Sequence, residues 1–298
     1  MKTLTIVVLL ALSPVLAHAQ TMNMAMATYG IKGPIRTFRI EVATFVSKDG
    51  SYIEGPRVLR SEASFNEDGN RTDLRFYNDK GALTGRIAMT YNGRKMIESI
   101  NSDGGGRMWL RTVFFHDDQG RSNGSMAYNA DGSLNSKWVI KRNDRGLVSE
   151  SARYSGQGVL MEQTTLRYDG PKLITHQREM YFPNGSLQLR TIYEAETKRS
   201  ETITYRPDGS VLNKSFRENW DIAEFSPDGT LQKATAISGE HRLLDEVKLG
   251  KDGAMATREA ERPDQIDAHG NWTKQTKWLT DDKGTRPLRV TYREITYY

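Results

Sequence analysis

Among the residues after position 19, the histidines are the side chains best able to perform acid–base or metal chemistry. They are His116, His176, His241 and His269, and no two have the i, i+4 spacing of a zinc-binding helix. The chain has no cysteine, so neither a thiolate nucleophile nor a cysteine ligand is available. No Gly-x-Ser-x-Gly elbow, phosphate-binding loop or dinucleotide fingerprint is present. We therefore predict no catalytic residue, no metal ligand and no cofactor-binding residue.

Aspartate-rich turns are the next candidates, because calcium binds oxygen ligands. Residues 66–70 and 117–118 are examples, but neither stretch has the ligand spacing of a calcium loop, and aspartate is an ordinary turn residue. Two carboxylates could also cleave a sugar, although the sequence singles out no pair. A carbohydrate hydrolase that uses Asp and Glu on a concave sheet face is therefore an alternative function.

The tryptophans are candidates for binding, because an exposed indole can stack on a sugar or a partner. Trp272 follows Gly270 by two residues, which places it opposite Ile266 in a hairpin and predicts a structural role. The other four are less constrained by their neighbours: Trp109, Trp138, Trp220 and Trp278. The sequence leaves the binding residues themselves unknown.

Residues 205–211, Tyr-Arg-Pro-Asp-Gly-Ser-Val, show how such side chains would be positioned. Proline suits the first central position of a type I turn, and a glycine in the left-handed region then completes a three-residue hairpin loop. This loop places Tyr205 opposite Val211, so the two side chains become cross-strand neighbours. One such pair contributes roughly 0.2–1 kcal/mol, so many hairpins must associate to make a stable fold.

The same unit, with an aromatic residue four positions before a glycine and an aliphatic residue two positions after it, recurs along the chain. The other examples are Tyr77/Gly81/Leu83, Tyr128/Gly132/Leu134, Tyr154/Gly158/Leu160, Tyr181/Gly185/Leu187 and Phe225/Gly229/Leu231. Many successive turn glycines are 12 residues apart. We predict an all-β fold, an antiparallel β-hairpin repeat array that forms an elongated or curled sheet of the β-solenoid type.

The chain divides into three segments. Residues 1–19 have a basic start at Lys2, an apolar run and a small-x-small site, which predicts a signal peptide cleaved after Ala19. Residues 20–64 are expected to hold a leader and the N-terminal strands, and residues 65–298 the repeat domain. We expect a periplasmic or secreted protein with no membrane span after cleavage.

Charge is spread along the predicted strands. The chain has 42 basic and 37 acidic residues, a net charge of +5 that falls to +4 without Lys2. Because the basic residues form no block, nucleic acid is not an expected partner. The stretch 174–180 offers no apolar face for lipid, so we do not expect an outer-membrane barrel.

The repeated Tyr/Phe-x-x-Asp-Gly-x-Leu unit resembles the YD or RHS type of repeat and, more loosely, the variant MORN repeats of antitoxin-like proteins. Residues 29–35, 267–274 and 293–298 are similar to the opening and closing segments of small secreted RHS-like proteins. The resemblance covers most of residues 29–298. It implies an antiparallel β array and no activity.

Together these features predict an exported β-repeat protein with a binding or scaffolding role in the bacterial cell envelope, and not an enzyme. The expected partner is a protein or a glycan. Two alternatives stay open: the carbohydrate hydrolase above, and an immunity or antitoxin-like protein that caps a toxin.

Overall fold

The fold is built entirely from β-strands in the computed structural model, which describes residues 31, 33–218, 221–225, 230–237, 243–249 and 255–298. The predicted signal peptide, Trp220 and His241 lie outside these residues. The strands are β1 (Ile35–Lys48), β2 (Ser51–Glu54), β3 (Val58–Phe65), β4 (Arg71–Tyr77), β5 (Leu83–Asn92), β6 (Lys95–Asp103), β7 (Met108–His116), β8 (Ser122–Asn129), β9 (Leu134–Arg142), β10 (Val148–Ser155), β11 (Leu160–Asp169), β12 (Lys172–Tyr181), β13 (Leu187–Glu194), β14 (Arg199–Tyr205), β15 (Val211–Glu218), β16 (Asp221–Phe225), β17 (Leu231–Ile237), β18 (Leu243–Leu249), β19 (Met255–Ile266), β20 (Trp272–Asp281) and β21 (Gly284–Tyr297).

The strands form a closed antiparallel barrel. From β3 to β21 each strand pairs with the next one, and β1 pairs with both β3 and β21. The wall therefore contains 20 strands, and β2 is a short addition that pairs with the end of β1. The prediction of an elongated or curled sheet of the β-solenoid type is wrong, because β1 joins the two ends of the sheet.

The hairpin register agrees with the prediction. Tyr205 pairs with Val211, and the Arg206 amide donates to the Ser210 carbonyl at 2.8 Å. Gly209 has a φ of 85°, in the left-handed region that the loop requires. The five other units are paired in the same way: Tyr77 with Leu83, Tyr128 with Leu134, Tyr154 with Leu160, Tyr181 with Leu187 and Phe225 with Leu231.

Each of these hairpins also contains a one-residue bulge beyond the aromatic–aliphatic pair, and these bulges give a physical reason for closure of the barrel. Beyond the Tyr205–Val211 pair, Thr204 pairs with Asn213, so Leu212 is an extra, unpaired bulge residue. The same one-residue shift follows the aromatic–aliphatic pair in the other five hairpins. A bulge bends its strand and increases the local twist. Bulges repeated around the sheet add curvature at each hairpin, which favours a closed barrel over an open array.

The barrel interior is not filled by side chains along β12, β13 and β14. All residues of these strands are half-buried or exposed, whereas a packed core would bury every second residue of a strand. Following the residue pairs around the wall shows that both of its faces carry charge. Arg153, Glu162 and Arg178 share a face with Phe38, and Arg39, Glu62 and Arg75 lie on the opposite face.

The largest apolar core lies where the barrel closes. Phe38 of β1 is 1% exposed and pairs with Ala63 on one side and Ile295 on the other. The buried members of this seam core are Ile31, Ile35, Phe38, Ala63, Phe65 and Leu74. Burial of apolar side chains at this position holds the first and last strands together.

Candidate functional site

The segments that carry the resemblance to RHS-like proteins meet at the seam, in what we call the closing cluster: Gly33, Asp267, His269, Asn271 and Tyr297. The Tyr297 hydroxyl donates to Asp267 Oδ2 at 2.6 Å and accepts from Asn271 Nδ2 at 2.8 Å. The His269 ring stacks on Tyr297 with 3.9 Å between ring centres. Gly33 has a φ of 99°, and a Cβ there would meet the Tyr297 ring at 3.0 Å. These contacts tie the last strand, β21, to the turn between β19 and β20, so the closing cluster has a structural role.

The hydrogen bonds of the closing cluster displace the pKa values of Tyr297 and Asp267 in opposite directions. Burial and the hydrogen bond to Asp267 raise the pKa of Tyr297 to about 12. Burial acts to raise the pKa of Asp267, but hydrogen bonds from Tyr297 and from the Asn271 and His269 amides hold it below its usual value. At neutral pH the pair is therefore a neutral phenol and a carboxylate, which is the arrangement that the hydrogen bond requires.

A cleft of about 380 Å³ lies beside the seam on the Arg39 face of the wall. Its floor is a row of four residues on neighbouring strands. Glu41 of β1 pairs with Tyr292 of β21, Tyr292 pairs with Lys274 of β20, and Lys274 pairs with Gln265 of β19. We call it the Tyr292 cleft, and its lining residues are Glu41, Arg57, Gln265, Thr273, Lys274, Tyr292, Arg293 and Glu294. Its size lies within the range of small-molecule sites, roughly 300–1,000 Å³.

Residues 54–57 form a strap over the Tyr292 ring. The Tyr292 hydroxyl donates to Glu54, 2.7 Å from Oε2, and Arg57 Cζ lies 3.5 Å from the ring centre. The Gly55 amide donates to the Thr44 carbonyl at 2.9 Å, which fixes the strap to β1. Burial and the Glu54 hydrogen bond raise the pKa of Tyr292, so its hydroxyl stays protonated at neutral pH.

Charges of both signs surround the cleft. The Arg39 guanidinium forms ion pairs with three carboxylates: Nη1 lies 3.4 Å from Glu294 Oε2, Nη2 lies 3.7 Å from Glu41 Oε1, and Nε lies 3.8 Å from Glu62 Oε1. Lys274 Nζ lies 5.5 Å from the centre of the Tyr292 ring, on which Arg57 also stacks. The cleft therefore offers carboxylates, cations and an aromatic ring within one small volume.

The sequence did not point to Tyr292 or Arg57 as binding residues. Tyr292 lies in β21 beside Thr291, just as Tyr297 lies beside Thr296, so nothing local distinguishes it, and its position in the cleft depends on closure. The signal for the strap was the Gly55-Pro56 dipeptide, which indicates a break between strands but not what the break covers.

The three candidate tryptophans that the structure describes are not brought together. Trp109 is 44% exposed, whereas Trp138 and Trp278 are half-buried in the wall, and Trp220 lies outside the described residues. Trp272 is buried and pairs with Ile266, as predicted. Its ring lies 3.4 Å from the Arg293 guanidinium, so it belongs to the seam.

The described histidines also lie apart. His116 ends β7, His176 lies in β12 and His269 belongs to the closing cluster. Burial and the neighbouring Arg178 lower the pKa of His176. Among the residues that the structure describes, no three His, Asp or Glu side chains are grouped so as to hold a metal ion. The same residues include no helix with the length and hydropathy of a membrane span.

Two further surfaces could contact a partner. A cleft of about 470 Å³ on β13–β15 is lined by Ile192, Phe216 and several Glu and Arg residues. The β1–β2 hairpin exposes Val46, Tyr52 and Ile53, and β2 pairs with β1 alone among the described strands. Neither surface combines an aromatic platform with as many polar groups as the Tyr292 cleft.

Comparison with known proteins gives weak likenesses. No protein-family model matches the chain, and no curated protein matches it. The chain is similar to a porin-like protein from Bacteroides uniformis, with 10% identity and a TM-score of 0.34 over 89% of this chain and 99% of that one. It is also similar to a LolA superfamily protein from Nitrosomonas europaea (9% identity, TM-score 0.20, 90% and 88% of the two chains) and to a DUF1329 family protein from Desulfovibrio piger (7%, 0.21, 88% and 86%). TM-scores this low establish neither a shared fold nor a shared function.

Proposed function

We propose that this chain is exported to the bacterial cell envelope and acts there as a binding barrel without catalytic activity. The sequence of residues 1–19 supports export, and ion pairs on both faces of the wall favour water on both sides of it. The observation that carries the proposal is the Tyr292 cleft, in which an aromatic ring and polar groups of both signs converge at one position.

The protonation of the described carboxyl groups bears on the carbohydrate-hydrolase alternative. A glycosidase needs a carboxylic acid whose pKa is raised, so that it can protonate the leaving group. The described carboxyl groups with a displaced pKa are displaced downwards: Asp103, Asp117, Asp131, Glu179, Asp208, Glu246, Asp267 and Asp281. Such groups are carboxylates at neutral pH and suit hydrogen bonding to a ligand or to a turn.

Photo-crosslinking in cells tests the proposal. A photoreactive amino acid replaces Gln265, which lines the Tyr292 cleft, and in a matched control it replaces the exposed Arg107 in the turn between β6 and β7. We expect adducts that depend on light at position 265 and not at position 107. Folded, exported protein that gives no adduct at position 265, or equal adducts at both positions, would contradict a binding role for the cleft.

A further inference from the structure

We propose that the Tyr292 cleft binds a saccharide and that Arg57 covers the Tyr292 ring until the sugar displaces it. This inference depends on the proposed function and names its class of ligand. Three features of the cleft support it: the mixed chemistry of its lining, the aromatic floor, and the weakness of the contacts that hold Arg57 in place.

The lining chemistry matches a sugar better than other ligand classes. Apart from Tyr292, the lining side chains are polar or charged, so an apolar ligand would contact no aliphatic wall. The carboxylates of Glu41 and Glu294 would repel a polyanion, and the cationic groups of Arg57 and Lys274 would repel a polycation. A sugar hydroxyl both donates and accepts, so it can pair with carboxylate, amide, hydroxyl and ammonium groups alike.

Tyr292 supplies the platform. Its hydroxyl is held by Glu54, with the donor 2.8 Å from Oε1 and 2.7 Å from Oε2, which limits rotation of the ring. An aromatic side chain of this kind offers a large, rigid apolar face beside a polar group. The C–H face of a sugar ring can stack on such a surface while its hydroxyl groups reach Glu41 and Lys274, which flank Tyr292 on the neighbouring strands.

Arg57 occupies one face of the Tyr292 ring, but its contacts are weak. Its guanidinium lies 3.5 Å from the ring centre, its side chain is 51% exposed, and its Nε lies 3.5 Å from Glu54. Exposed cation–π contacts and ion pairs each contribute only about 1 kcal/mol or less of stabilising free energy. A sugar that replaces Arg57 therefore loses only a small part of its binding free energy to this competition.

Binding of defined oligosaccharides to the mature chain tests the inference. The probes are chitotetraose, cellotetraose, maltotetraose and a disaccharide muropeptide, measured by calorimetry with the wild type and with Tyr292→Ala, Tyr292→Phe, Arg57→Ala and Trp109→Ala. We expect Tyr292→Ala to weaken binding of the preferred probe at least tenfold and Tyr292→Phe to retain most of it. Arg57→Ala should strengthen binding, by up to about fivefold, because the cover is gone. Trp109→Ala is the control for an exposed aromatic elsewhere in the wall.

Two results would overturn the inference. One is that no probe binds to folded protein; the other is that Tyr292→Ala binds the preferred probe as well as the wild type does, whatever the result with Trp109→Ala. If no sugar binds but crosslinking at position 265 still captures a protein, then the binding role stands and the ligand class is wrong. If crosslinking also fails, then the proposed function fails with it.

Discussion

Replacement of Phe38 by alanine tests whether stability is concentrated at the seam. Phe38 is 1% exposed, belongs to the largest apolar cluster, and lies between the strands that close the barrel. Truncation of a buried phenylalanine costs about 3–5 kcal/mol, because it removes apolar burial and leaves a cavity. The guanidinium of Arg293, 5.5 Å from the ring centre, would also lose part of its packing.

Phe216 is the matched control. It has the same chemistry but is 45% exposed, and its main aromatic contact is an edge-to-face pair with Phe225 at 5.8 Å. Such a pair contributes about 0.5–1.5 kcal/mol. We therefore expect Phe216→Ala to lose less than half as much stability as Phe38→Ala.

Urea and thermal unfolding of both variants, followed by tryptophan fluorescence and circular dichroism, provide the measurement. The unfolding entropy is about 2.1 cal/mol/K per residue, so for a domain of this size each kcal/mol shifts Tm by about 2 °C, and Phe38→Ala should lower Tm by about 5–10 °C. Equal losses in the two variants would refute the reasoning, because they would show that stability is spread evenly around the wall.

Three further changes test the turns, the ion pairs and the closing cluster. Gly209→Ala, at a φ of 85°, should cost about 1–2 kcal/mol by urea unfolding, whereas Gly105→Ala, at a residue without positive φ, should be nearly neutral. Glu162 is 5% exposed between Arg153 and Arg178, so Glu162→Gln should cost at least about 2 kcal/mol. The side chain of Glu201 is 38% exposed, so Glu201→Gln should cost less than about 1 kcal/mol, and similar costs in the two variants would contradict this reasoning. The folded pKa of Asp267 is lowered, so its contribution is present above the ordinary value of 3.8 and is lost as pH falls through the folded pKa. Asp267→Asn should therefore be less stable than the wild type by about 1.5–3 kcal/mol at pH 7, with a gap that closes below about pH 4; a gap independent of pH would contradict the assignment.

The sequence was informative about local structure because turn chemistry is local. The order Pro207, Asp208, Gly209 specifies dihedral angles within three residues, and these angles determine that Tyr205 faces Val211. The same reasoning placed Trp272 opposite Ile266, 26 residues before the C-terminus. Hairpin register could thus be read from residue types alone.

Closure could not be read in this way. The residues that bring β1 to β21, such as Phe38 and Ile295, are ordinary apolar strand residues that an open sheet could equally contain. The bulge at Leu212 also left no mark in the sequence, since a leucine there fits a regular strand as well. Whether a sheet closes depends on curvature summed over the whole wall, and no single motif reports that sum.

Closure also explains why the Tyr292 cleft was not anticipated. Its floor joins Glu41 of the first strand to Tyr292 of the last, and the strap that covers it follows the second strand. In an open array these residues would lie at opposite ends of the sheet. The cleft is therefore a product of the closed barrel, and a ligand that spans Glu41 and Tyr292 would bind the closed state and not the open one. Such a ligand must stabilise closure by the same free energy that closure contributes to its binding.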